Sequence, residues 1–395
     1  MLTAKSIFLL LFIAVTLLVA PTGCKTLSET ETVTPVRTLV NSSLIGEYSA
    51  SQLKARYAGS YSFLQIFIRN GIKVYRLDYT TTDAAGKSIK ASGAILVPDG
   101  TAPMSMISTQ HGTIVSENDA PSNYKSGSEA YLFGSVFASQ GYIIVAPDYI
   151  GYGASKDVPH TYINRNGLAT ASLDMLRAAR NFLTDSNVNW NNRLYITGYS
   201  EGGYATMALQ KKIEEETGNE FNLVASSCGA GPYDMPAFMR QILNETTGYY
   251  NNQLYLWVLL TYNRMYGLNR PMTYYFKEPY ASQVASQGKD ARINVSLNTT
   301  FTDTFKQAIN QGTDKEFLAA VQDNDIHDWK PRTRTQLYHG DDDDIVSYLN
   351  SKNTYDAMQK RGATNVELKT MPGANHGSGL LEYVTGTYAF FGSIQ

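Results

Sequence analysis

Residues Leu194–Thr197 form a short β-prone run that meets Gly198-Tyr199-Ser200-Glu201-Gly202 and passes at once into helix-prone residues reaching Lys212. That order predicts a strand, a very sharp turn and a helix, with the serine at the apex. The turn forces the serine backbone into a strained conformation, and side chains two residues to either side would collide with neighbouring chain. Glycine at 198 and 202 removes both obstacles. Ser200 would then stand at the end of a sheet, beside the positive end of the following helix. Taken alone, Gly-x-Ser-x-Gly arises often by chance, and a serine there also serves as an ordinary helix N-cap.

A reactive serine needs a base, and the base needs an orienting acid. Both follow in the chain. Thr335-Gln-Leu-Tyr-His339-Gly reads as a buried strand running into the aspartates 341–344. The pattern His-Gly-x-x-Asp-x-x-Val selects Asp343, four residues after His339 and three before Val346. The other three read as a solvated acidic turn or a weak Ca²⁺ site. A further strand from Val366 leads to Gly373-Ala-Asn-His376-Gly377, and of five histidines only His376 lies beyond the acid loop. Asp148, which ends the run Tyr142–Asp148, competes for the acid role, but its strand lies on the far side from where the histidine loop arrives. His111 and His339, each before a glycine at a strand end, read as structural hydrogen-bonding residues. His160 and His327 fall in loops and are expected at the surface, with a place along a substrate path as the alternative. In the resulting scheme His376 takes the Ser200 proton and Asp343 holds the imidazole in the right tautomer. The oxyanion donors would be the backbone N–H of Glu201 and, from the loop after Met104–Gln110, that of Thr113.

Composition excludes other classes. A charged fraction of 17% and a net charge of −2 give no basic excess for nucleic acid. No phosphate-cradling glycine loop follows the first strands, and the two cysteines and scattered histidines lack metal-ligand spacing, so neither cofactor nor metal is expected. Lys5 and the apolar run Ile7–Ala20 read as a signal peptide, residues 1–23, too short for a comfortable membrane span. Its end, Leu-Val-Ala-Pro-Thr-Gly-Cys24, is similar to a lipoprotein cleavage site, although Pro21 stands where an aliphatic residue is usual. Ordinary secretion is the alternative. Either way the protein is expected to be exported, with membrane attachment only through Cys24. Residues 24–55 read as tether and N-terminal extension, 56–231 and 332–395 as an α/β core, and 232–331 as a Tyr-, Asn- and Gln-rich helical insertion.

Within the core, Lys73–Thr82 and Ile89–Pro98 are expected to pair antiparallel, followed by strands at Met104–Gln110 and Tyr142–Pro147, a crossover helix over Leu168–Leu183, and a sixth strand from Leu223. Near-continuous apolar strands separated by helices argue for a mostly parallel sheet covered on both faces. Segments 235–245, 252–266 and 314–322 read as helices of the insertion.

Gln110-His-Gly-Thr113, Ala146-Pro-Asp-Tyr-Ile-Gly-Tyr-Gly-Ala-Ser155, Gly198-Tyr-Ser-Glu-Gly-Gly203, Tyr338-His-Gly-x-x-Asp343 and Gly373-Ala-Asn-His-Gly377 together resemble the secretory-lipase, lipase A-like branch of the α/β-hydrolases. The resemblance runs from about residue 60 to the C-terminus. It implies an α/β-hydrolase fold with a helical cap between strands six and seven. It also implies hydrolysis of small-molecule or lipid esters, with Ser200, Asp343 and His376 as nucleophile, acid and base. The chain departs from the pattern at Ser347, where a proline often follows the valine, and in lacking a cysteine pair for a disulfide. Two alternatives stand beside this reading. One is a prolyl-oligopeptidase-like peptidase, which shares the acid loop but would bring a propeller that is not seen. The other is a catalytically silent, lipid-anchored binding protein.

Overall fold

A computed structural model describes residues 36–57, 59–83, 85–246 and 252–394. Its strands are β1 (Leu39–Tyr48), β2 (Ile72–Thr82), β3 (Ser88–Pro98), β4 (Met104–Gln110), β5 (Ile143–Pro147), β6 (Trp190–Tyr199), β7 (Asn222–Gly229), β8 (Arg334–Gly340) and β9 (Val366–Met371). They form a single sheet in the order β1-β2-β3-β5-β4-β6-β7-β8-β9. The first three strands run antiparallel to their neighbours, and from β5 onward every pairing is parallel.

The apolar runs explain this placement. Along β4, β5 and β6, alternate residues enter different cores: Met106, Ile143, Val145, Leu194 and Ile196 face one layer, whereas Ile107, Ile144, Ala146 and Tyr195 face the other. A strand buried on both faces has no polar side to show, so it reads as continuous hydrophobicity. The first layer is closed by the crossover helix Arg165–Asp185 through Leu173, Leu176, Ala179 and Phe182. That helix begins at Asn164, whose side chain accepts the Gly167 N–H at 2.8 Å. The second layer is closed in part by the C-terminal helix Gly379–Gly392 through Phe390 and Phe391.

Within the N-terminal extension, for which no element was expected, residues 39–48 form strand β1, paired antiparallel with β2, and a helix follows at Ala50–Arg56. Thr38 is already buried, its hydroxyl donating to Asp174 O at 2.8 Å. β1 escapes sequence reading because it is an edge strand with residues 40–44 all exposed and two register shifts, so it shows neither alternation nor an apolar run. With β1 counted, the insertion expected after the sixth strand follows β7. The expected signal peptide, Cys24 and the part of the expected tether up to residue 35 lie outside the described residues.

Helices Met235–Asn244, Asn252–Met265 and Lys315–Asp323 lie between β7 and β8 as expected, joined by Tyr280–Gln287 and Asp303–Asn310, which their polar sequences concealed. Tyr262, Tyr275, Phe305 and Phe317 of this insertion share one hydrophobic cluster with Tyr204 on the helix after β6 and Leu337 on β8. Arg270 ties the insertion internally, reaching Asp314 at 2.5 and 2.9 Å and Glu316 at 2.8 Å. Among the described residues no helix is long and apolar enough to cross a membrane.

Cys228 sits on β7 with no exposed surface. Burial pushes its thiol up to about 12, and the thiolate is the reactive form. Iodoacetamide at pH 8 should therefore leave Cys228 unmodified in the folded protein and alkylate it after denaturation, as read by peptide mass.

Candidate active site

Strand β6 delivers its chain into a turn at which Ser200 adopts φ 60° and ψ −122°. Two bonds hold that conformation: Ser200 N–H donates to Gly229 O at 2.9 Å, and Tyr204 N–H donates to Ser200 O at 3.1 Å. The glycines are needed for space. A Cβ on Gly202 would lie 2.0 Å from Gln110 O, and one on Gly198 would lie 2.3 Å from Gly202 O. A third glycine, Gly203, has the same role, since its Cβ would lie 2.1 Å from Gly229 O. Thus the ends of β4 and β7 both press against the turn that presents the serine.

The loop after β4 passes beside this turn, with a Cβ on Gly112 falling 3.9 Å from Ser200 Cβ. Glu129 accepts the Gly112 N–H at 3.0 Å. Burial raises the pKa of this carboxyl, with the Gly112 bond working against the shift. The neighbouring N–H of Thr113 has no hydrogen-bond partner among the described residues, and neither has that of Glu201 at the start of the helix Glu201–Glu216. These two free donors are the ones expected for an oxyanion. Thr113 is further fixed by its hydroxyl, 3.0 Å from Tyr162 OH.

Asp343 and His376 meet. His376 Nδ1 lies 2.7 Å from Asp343 Oδ2. The other carboxylate oxygen accepts the backbone N–H groups of Ile345 at 2.9 Å and Val346 at 2.8 Å. His339 Nε2 stands 3.3 Å from Asp343 and 2.7 Å from Val346 O, so it braces the acid loop. Burial opposes charge on Asp343, yet the hydrogen bonds from His339 and His376 outweigh it and hold the carboxyl well below the usual carboxylate range. Of the neighbouring aspartates, Asp341 accepts the Gly373 N–H at 2.6 Å and Asp344 the His376 N–H at 3.4 Å, so both tie the acid loop to the histidine loop. Tyr199 OH donates to His376 O at 2.9 Å, linking that loop to the residue before the serine. Ser200 Oγ and His376 Nε2 carry no hydrogen bond to any described residue, so Asp343 and His376 are joined while the contact from His376 to Ser200 is unmade. Such contacts often tighten only when substrate is bound.

Asp148 has another occupation. Its carboxylate accepts from Ser92 Oγ at 2.6 Å and Ser122 N at 2.7 Å. His111 is structural, its ring nitrogens facing Gly112 O at 2.7 Å and Asp148 O at 3.2 Å. His327 pairs with Asp325 at 2.7 Å and, with Asp234, forms a group whose ligand atoms lie within 4.8 Å of one another. Asp234 is already engaged there, capping Ala237 and accepting from Asn353.

His160 corrects the surface expectation. It is buried, with Nδ1 2.6 Å from Ile150 O and Nε2 2.7 Å from Glu201 Oε1. A buried carboxyl must find a partner, and Glu201, 2% exposed, finds it in His160, 41 residues away in the chain.

Above Ser200 and Glu201 opens a cavity of about 910 Å³, its mouth included, walled by Phe238, Leu254, Val258, Leu259, Phe301 and Phe317 of the insertion and by Ile345 and Val346 of the acid loop. Its walls are almost entirely apolar, and Ser200 is among the residues that line it.

A family model described as secretory lipase matches residues 125–387. No curated protein sequence matches the chain. Among solved structures, the rice cell wall degrading esterase LipA from Xanthomonas oryzae is 23% identical with a TM-score of 0.77, covering 91% of this chain and 100% of its own. A putative hydrolase from Legionella pneumophila is 22% identical with a TM-score of 0.79, covering 91% and 98%. Candida antarctica lipase A is 14% identical with a TM-score of 0.61, covering 89% and 82%. These likenesses show an α/β-hydrolase fold.

Gly202→Ala should cost about 3 kcal/mol or more, or prevent folding, because the clash is with backbone that cannot give way. A denaturant midpoint equal to that of the wild type would contradict this. For Asp343, a folded pKa below the unfolded one means that its charge stabilises the fold above the unfolded value and ceases to do so as pH falls through the folded one. The stability gap between wild type and Asp343→Asn should therefore be widest near neutrality and narrow below about pH 4. Urea titrations at pH 7, 5 and 3 would measure it.

Proposed function

The chain belongs to the secretory lipase family, and from that premise we propose that it hydrolyses carboxylic esters through an acyl-enzyme on Ser200. The observation that carries the reading is the Asp343–His376 pair at 2.7 Å, tied through Tyr199 OH to the turn that presents a strained serine. In this scheme substrate occupies the space between Ser200 and the loop at 112–113. His376 Nε2 removes the hydroxyl proton as Ser200 Oγ attacks the carbonyl carbon. Asp343, ionised throughout, holds Nδ1–H and stabilises the imidazolium. The carbonyl oxygen becomes an oxyanion that accepts from the N–H groups of Glu201 and Thr113. Collapse expels the alcohol, protonated by His376, and water repeats the sequence to release the acid.

The insertion is read as a cap whose apolar cavity receives the acyl group. A cavity with few polar groups gains affinity by desolvating methylenes, at about 0.8 kcal/mol for each CH₂ buried. This favours esters of apolar acids over acetyl or charged ones. Serine, base, acid and free N–H donors together argue against a silent binding protein, and the secretory lipase family argues against a peptidase. The exported reading accords with a secretory family, and attachment through a lipidated Cys24 is part of the proposal.

Ser200→Ala should lower kcat on p-nitrophenyl esters by about 10⁴-fold or more, without loss of fold by circular dichroism. Activity surviving that change would remove Ser200 from the role. In a series from acetate to palmitate on the wild type, kcat/KM should rise from acetate toward medium chains. A maximum at acetate would refute the acyl assignment of the cavity.

A further inference from the structure

The pair formed by Glu201 and His160 lies against the site without a part in the chemistry just described, and its side chains are only 1% and 4% exposed. Ile150 O can only accept, so the His160 nitrogen 2.6 Å from it, Nδ1, carries hydrogen. Nε2 then faces Glu201 Oε1 at 2.7 Å with one proton between them. Whether that proton rests on imidazole or on carboxyl, the pair is neutral as a unit. This matters because Glu201 supplies an oxyanion donor. An uncompensated carboxylate on that residue, in a dry site, would oppose the charge that develops on the substrate oxygen.

Two residues further on, Tyr162 reaches the other donor, its OH 3.0 Å from Thr113 Oγ1. The insertion helix Asn252–Met265 fastens the whole segment. Trp257 stacks on Tyr162 with ring centroids 4.3 Å apart and planes 16° from parallel. Tyr262 OH donates to Ile163 O at 2.9 Å, and Arg264 donates to His160 O at 2.9 Å. Below it, Gly151 permits close approach, since a Cβ there would lie 2.5 Å from His160 Cα.

We propose that the segment from His160 to Tyr162 positions the oxyanion hole, with His160 aligning Glu201 and cancelling its carboxylate charge, Tyr162 aligning Thr113, and the insertion helix holding both. This rests on the acyl-serine reading and deepens it. His160 and Tyr162 are positioning residues, because they act through the backbone of their neighbours. The other buried carboxyl facing this region, Glu129, is engaged separately by Gly112 N–H.

The test uses the full mature chain carrying His160→Phe, Tyr162→Phe, Glu201→Ala or Glu201→Gln. Measured are kcat and KM on p-nitrophenyl butyrate, affinity for a trifluoromethyl ketone that forms a tetrahedral oxyanion adduct, and thermal melting. His160→Phe fits an aromatic surround and should lower kcat by about 10- to 100-fold with KM within threefold, weakening the ketone by the same factor. Tyr162→Phe should act in the same direction, by up to about tenfold. Glu201→Gln, whose amide can still meet His160, should recover most of the activity that Glu201→Ala loses. If His160→Phe fails to fold, Tyr162→Phe and the Glu201 pair decide. Wild-type kcat and ketone affinity in the folded variants, or Glu201→Gln as impaired as Glu201→Ala, would overturn the inference. Fluorophosphonate labelling of the wild type separates the two levels. No adduct at Ser200 defeats the acyl-serine reading itself, whereas a labelled, active wild type with unaffected variants defeats only the positioning role.

Discussion

Three backbone carbonyls crowd the turn at Ser200, and the rest of the site follows from how close they come. The approach of Gln110 O to Gly202, and of Gly229 O to Gly203, leaves room for no side chain. It brings the ends of β4, β6 and β7 to one point. Ser200 takes a positive φ because the chain must reverse there within the width of a glycine contact. The same reversal frees the N–H of Glu201 from the strand before the helix ladder can claim it. The loop at Gly112 lies beside the serine because Gln110, two residues earlier, is pressed against the turn. The placement of Ser200 and of the free N–H groups of Glu201 and Thr113 thus follows from one packing constraint.

Around that junction the buried carboxyl groups act as ties between elements. Asp343 is held by its own loop, by His339 at the end of β8 and by His376 beyond β9. Glu129 joins the segment before β5 to the loop after β4, Asp148 joins the end of β5 to β3 and to Ser122, and Glu201 joins the turn to the segment at 160. Buried ionic groups add little net stability against apolar replacements. Their value here lies in direction: each accepts from donors on different stretches of chain and so fixes the relative placement of loops that packing alone would leave loose.

What could be read from the residues divides along physical lines. The parallel strands were legible because burial on both faces writes itself as an apolar run, as in Ile143–Pro147. Ser200, Asp343 and His376 were legible because turn geometry demands glycine and because chain order limits the partners, and the structure brings the last two together. β1 was not legible, since an edge strand with one face in water has no composition of its own. Tyr280–Gln287 and Asp303–Asn310 were missed for a related reason: short helices packed on a few aromatic contacts carry too few apolar residues for a period to show. His160 was misplaced because a histidine's burial depends on a partner far along the chain, here 41 residues away. Backbone donors such as Thr113 N–H leave no trace in side-chain identity at all.

One helix of the insertion touches both halves of the site, which bears on how selectivity and rate are related. Tyr255 OH donates to Ile345 O at 2.6 Å, on the acid loop, while Trp257, Tyr262 and Arg264 grip the segment from His160 to Ile163. Leu254, Val258 and Leu259 of the same helix form a wall of the apolar cavity. A packed helix moves as a body, because interiors this dense do not absorb a shift locally. Enlarging or filling the cavity at those leucines therefore displaces groups that hold the loop of Asp343 and the segment from His160 to Ile163. Under the proposed function, acyl preference and turnover are set by the same wall, and changes at Leu254 or Leu259 made to alter one would alter the other.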